Sequence, residues 1–147
     1  MLSVIVETAD AGDRLPALLG ALTSAAVDGL VREVLIAGGG PPELLEVLRE
    51  ETGADLVEDI KAGIAAARGD RLLVLPAKIR LKPGWLEALG RHIREGGGDA
   101  VIVGEGGGFF GEKPFGVLVA RGPAAALAHP DLKRLRGVLG RGAARLA

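Results

Sequence analysis

Three cationic side chains, Lys78, Arg80 and Lys82, alternate just after the apolar run of residues 71–75. Alternate residues of an extended chain share a side, so these heads could line up on a diphosphate without a metal, with Arg as a fork and Lys as a point charge. The competing reading is a solvated loop. Gly38-Gly39-Gly40 precedes a helix-like stretch, where backbone N–H groups could approach a phosphate. Pro41 and Pro42 remove two of those donors, and the third glycine of a Gly-X-Gly-X-X-Gly pattern would fall at Glu43, so a tight turn is favoured. Glu7, Asp10 and Asp13 cluster after the first apolar run. They could receive a ribose or a metal, although Asp10 also suits a turn and Asp13 a helix N-cap.

Other chemistry is excluded by what the chain lacks. With no cysteine among 147 residues, it has no disulfide, thiolate nucleophile or cysteine-held zinc, and a reducing cytoplasm fits. His92 and His129 stand too far apart to form a ligand pair. Trp85 is read as a core anchor in preference to a sugar-stacking platform. No secretory leader or membrane span is expected from the short apolar N-terminal run. The formal charge is −1, so no nucleic-acid partner is expected, and no oligomeric state follows from composition.

The elements that must position these residues are legible from periodicity. Residues 2–6, 32–37, 54–57, 71–75, 99–103 and 115–120 are short, apolar strand-like runs. Between them, Leu15, Leu18, Leu19 and Leu22, then Leu44, Leu45, Val47 and Leu48, residues 62–67, and Leu86, Leu89 and Ile93 recur at helical spacing. A further helix is expected to start at Pro123. Such alternation predicts one α/β domain over residues 1–147, three-layered and Rossmann-like, with a mostly parallel central sheet and helices on both faces. Ligands of such sheets bind beyond the carboxyl ends of the strands, here after Val6, Ala37 and Leu75.

The C-terminal stretch is the basic part of the chain. Leu132, Leu135, Leu139 and Leu146 form an apolar series backed by Lys133, Arg134, Arg136, Arg141 and Arg145, which predicts an amphipathic helix over residues 131–147. It would either pack on its own domain or lie on an anionic membrane surface.

Three segments together resemble the nucleotide-sugar-binding half of family 2 glycosyltransferases of the GT-A type. They are Ser3-Val4-Ile5-Val6-Glu7-Thr8, the run from Ala62-Gly63 through Arg68-Gly69-Asp70 before Leu72-Leu73-Val74-Leu75, and Leu81-Lys82-Pro83-Gly84-Trp85-Leu86. The resemblance covers roughly residues 1–89. It implies a sugar-nucleotide ligand, with Thr8 as the nucleotide-contacting threonine. It also implies an Asp-X-Asp metal site after the fourth strand, where this chain reads Pro76-Ala77-Lys78, and a base-binding acid after the second, where it reads Ala37-Gly38-Gly39-Gly40. Glu105 and Glu112 stand where the family keeps its general base.

The expectation is therefore a sugar-nucleotide-binding domain using Thr8, Asp10, Gly38, Gly39, Lys78 and Arg80. It would hold no metal or other cofactor and show no metal-dependent transfer. Alternatives are a metal-independent transferase in which Lys78 replaces the metal, and a non-catalytic cytoplasmic protein peripheral to the inner membrane.

Overall fold

The computed structural model describes residues 1–8, 14–106, 113–139 and 142–146. Chain order is β1 (Leu2–Glu7), α1 (Leu15–Val27), β2 (Val31–Ala37), α2 (Pro42–Thr52), β3 (Asp55–Val57), α3 (Ile60–Ala66), β4 (Arg71–Pro76), α4 (Trp85–Arg94), β5 (Ala100–Val103), β6 (Phe115–Ala120), α5 (Arg121–Ala125), α6 (Leu132–Gly137) and β7 (Ala144–Leu146). Seven strands form one sheet in the order β3-β2-β1-β4-β6-β5-β7. The β1–β2, β1–β4, β2–β3 and β5–β7 pairs are parallel, and β6 runs antiparallel to both its neighbours. The expected three-layer, mostly parallel α/β architecture is the one observed.

The layers follow from the strand period of two. Val4, Val6, Leu73, Leu75 and Ile36 face one core, which α1 covers with Leu15, Leu18, Leu19 and Leu22, α2 with Leu45 and Leu48, and α4 with Leu89. Their neighbours Ile5, Leu35, Leu72 and Val74 face the other, under Ile60 and Ile64 of α3, Ala124 of α5 and Leu135 of α6. Each buried Leu or Ile contributes about 1.5–3 kcal/mol. With one Trp, three Phe and no Tyr in the chain, these aliphatic contacts make up most of the core.

Gly69 explains part of the helix-and-turn motif before β4. A Cβ there would stand 2.9 Å from both the Met1 carbonyl and the Ser3 nitrogen. The Gly69 N–H donates to Ser3 Oγ at 2.8 Å, and the Ser3 hydroxyl donates to Glu33 Oε2 at 2.6 Å. The Arg68 N–H reaches the same carboxylate oxygen at 2.6 Å. This network fastens β1, β2 and the α3–β4 turn at the amino end of the sheet.

The C-terminal helix expected over residues 131–147 is not what forms. Asp131 caps α6 by accepting from the Arg134 N–H at 2.8 Å, and α6 ends at Gly137. Ala144–Leu146 is a strand that covers the edge of β5. Glycines at 137, 140 and 142 weaken helix continuation, and the open edge of β5 offers backbone partners instead. Two smaller differences concern helix starts. The helix placed from Pro123 begins at Arg121, and α1 has Arg14 in its N-cap position with no side-chain cap, whereas Asp13 lies outside the described residues.

Candidate functional site

The site is set by the carboxyl ends of β1, β2 and β4. Glu7 ends β1 and lies in register with Ala37 on one side and Pro76 on the other. The turn beyond is closed by Thr8, which is 8% exposed. Its N–H donates to the Ala37 carbonyl at 3.0 Å, and its hydroxyl lies 2.7 Å from the Gly39 carbonyl and 3.2 Å from that of Ala37. Gly38 has φ +110°, where a Cβ would fall 2.7 Å from Thr8 Oγ1. Its N–H donates to the Val57 carbonyl at 3.2 Å. The Gly38–Gly39 segment is thus built as a tight turn whose backbone bonds hold β1, β2 and β3 together, and Thr8 is the staple beneath it.

Above this staple is a cleft of about 300 Å³ lined by Glu7, Gly38, Gly39, Glu58, Asp59 and Asp131, among others. Four of its lining residues are acidic, and one of them, Asp131, pairs with Arg134 at 3.3 Å. Asp59 is also the N-cap of α3, accepting from the Ala62 N–H at 2.8 Å. Glu58 and Asp59 were not among the residues expected to bind, and their place directly after the third strand is the sequence signal for them. Asp131 was visible only as the start of the basic tail.

A second cleft, about 340 Å³, lies on the α1 side and is lined by Arg14, Ile79, Arg80, Leu81, Trp85 and Glu105, with three residues of α1 behind them. The Glu105 N–H donates to the Arg80 carbonyl at 2.7 Å, which holds the candidate base beside the arginine. Among the described residues the buried Nε of Arg14 has no hydrogen-bond partner, an uncommon state for a buried donor and one that an acceptor would relieve. Trp85 is half-buried and packs on the core of that sheet face. A larger hollow, about 750 Å³, runs along Gly29, Leu30, Trp85, Leu86, Gly90 and Arg94, by the amino end of β2.

The cationic series is divided by the structure. Ala77 is fully buried and its N–H donates to the Glu7 carbonyl at 2.8 Å, while Ile79 is 1% exposed. Lys78 and Arg80 therefore both point outward, with Lys82 half-buried. Arg80 lines the second cleft, whereas Lys78 lines neither. Asp10 and Glu112 lie outside the described residues.

The donor set at the end of β4 does not suit a divalent cation: Pro76 and Ala77 offer no side-chain ligand, and Lys78 carries a positive charge. Among the described residues, no three His, Asp or Glu side chains are grouped so as to hold a metal.

These features define a GT-A-type α/β domain, and comparison with solved structures agrees. A mycobacterial protein matches over 99% of this chain and 64% of its own, with TM-score 0.68 and 16% identity. Glucosyl-3-phosphoglycerate synthase from Mycobacterium tuberculosis, in complex with phosphoglyceric acid, matches over 86% of this chain and 59% of its own, with TM-score 0.64 and 16% identity. The same enzyme is known in complex with Mn2+, UDP and glucosyl-3-phosphoglycerate. Mannosyl-3-phosphoglycerate synthase from Rubrobacter xylanophilus matches over 69% of this chain and 38% of its own, with TM-score 0.54 and 12% identity. At these identities the likeness is one of fold, and the chain spans less than two thirds of each of these proteins. No protein-family profile and no characterised protein matches by sequence.

Proposed function

We propose that this chain is a glycosyltransferase-like domain that binds a sugar nucleotide across the two clefts without a divalent metal. The observation that carries this is the end of β4, where Pro76-Ala77-Lys78 carries an outward cation and no carboxylate pair. The nucleoside, an uncharged group rich in N–H and O–H donors, suits the carboxylates of Glu58 and Asp59. The diphosphate suits the guanidinium groups of Arg80 and Arg14, which line the second cleft, with Lys78 as a longer-range cation. Glu105, beside Arg80, would face an acceptor hydroxyl. Mn2+ and UDP in a solved relative of the same fold support the ligand class, and the residues at the end of β4 support the absence of metal-dependent transfer.

Titration of 15N-labelled protein with UDP tests the placement. Saturable shifts at Gly38, Gly39, Asp59, Ile60 and Arg80 are expected. Saturable shifts confined to other surfaces, or none at millimolar UDP, would overturn it.

A further inference from the structure

The basic tail, split between α6 and β7, brings its charges together in a place the linear pattern did not suggest. A third cleft, about 380 Å³, is lined by Val101, Val103, Lys113, Phe115, Arg136 and Arg145, with Ala143 and Ala144. Register explains the grouping. Arg145 pairs with Val101, Val101 with Val117, and Val103 with Phe115, and paired residues share a face of the sheet. That is the face under α6, from which Arg136 reaches back to lie 4.3 Å over the centre of the Phe115 ring.

Three cations, from α6, β7 and the residues before β6, thus line one cleft. None of the eight lining residues is acidic. Among the described residues none of the three cations forms an ion pair. Like charges gathered in one concavity repel until an anion joins them. Stacking on Phe115 holds the Arg136 guanidinium by its face and leaves its N–H edge to donate. The floor of Val101 and Val103 suits a short carbon skeleton. The volume is at the low end for small-molecule sites.

We infer that this cleft is an anion site for a small, soluble phosphate monoester. It does not rest on the nucleotide proposal. At about 4.8 Å between neighbouring strands, β5 lies roughly 14 Å from β1 and 19 Å from β2 across the sheet, on the far flank from the acidic cleft.

The test is a titration of the 15N-labelled full chain with glycerol 3-phosphate, with glycerol as the neutral control. Saturable shifts at Val101, Val103, Phe115 and Arg145 are expected, without response to glycerol. R136Q and R145Q should each weaken the affinity about tenfold or more, the scale of a charge-assisted hydrogen bond. K133Q, on α6 but outside the cleft, should leave it unchanged. All three positions are exposed, and an amide spectrum that superimposes on the parent away from the cleft verifies each variant's fold. No saturable shift, or equal affinity in the R136Q/R145Q double variant, would overturn the proposal. A third arm uses vesicles containing phosphatidic acid. Co-flotation lost in the double variant, with no response to glycerol 3-phosphate, would assign the phosphate to a lipid headgroup and overturn the soluble ligand.

Discussion

The Thr8 hydroxyl lies 2.7 Å from the Gly39 carbonyl, and this one contact ties the end of β1 to the turn after β2. A threonine read as a nucleotide contact is thus first a structural staple. The staple depends on Gly38, because any Cβ there meets Thr8 Oγ1 at 2.7 Å and φ +110° strains other residues. Gly38→Ala should cost about 1–3 kcal/mol in denaturant unfolding, the usual scale of such strain. UDP affinity should fall with it, because the turn forms one wall of the acidic cleft. An unchanged midpoint would show that the turn relaxes freely.

Asp59 separates binding from folding. Asparagine caps helices about as well as aspartate, so Asp59→Asn should keep α3 and change stability by no more than about 0.5 kcal/mol. It removes a negative acceptor from the cleft. Titration calorimetry should show UDP binding weakened about tenfold, the scale of one charge-assisted hydrogen bond. An unaltered affinity would place the nucleoside elsewhere.

Ser3 tests the opposite end of the sheet. Its buried hydroxyl both accepts from Gly69 and donates to Glu33, so Ser3→Ala leaves a buried N–H unsatisfied. The expected loss is about 1–3 kcal/mol, with a lower thermal midpoint and no change in UDP affinity once folded. A coupled loss of binding would mean that this end of the sheet also shapes the site.

Lys78 is exposed and lines neither cleft, so its pull on a diphosphate is long-range and screened by salt. Lys78→Ala should weaken UDP binding about two- to fivefold at low ionic strength, as exposed charges do. The difference should vanish at high salt. Abolition of binding or of sugar transfer at all salt concentrations would make Lys78 a direct substitute for the metal.

Much of this architecture was legible because its elements are local. The apolar runs at 2–6, 32–37 and 71–75 and the helical leucine spacings each carry their own signal, and six strand positions matched within a residue or two. Direction and partnership were not legible. The run 115–120 has the same composition whether parallel or antiparallel, and β6 proves to be the reversed strand. Leu146 continues a helical series only while residues 138–143 are imagined as helix, and the open edge of β5 decides otherwise. In the candidate site, Gly38, Gly39 and Arg80 could be placed by their position after strands. Arg14 and Asp131 could not, because the clefts are assembled from segments up to 124 residues apart, from Glu7 to Asp131.

Binding should need no metal, and isothermal titration of UDP-glucose into the protein tests this directly. One titration is run in EDTA and one in millimolar manganese. The account predicts the same affinity within about twofold in both, because Pro76-Ala77-Lys78 offers the ion no ligand. A gain of about tenfold or more in manganese, lost again on chelation, would contradict it.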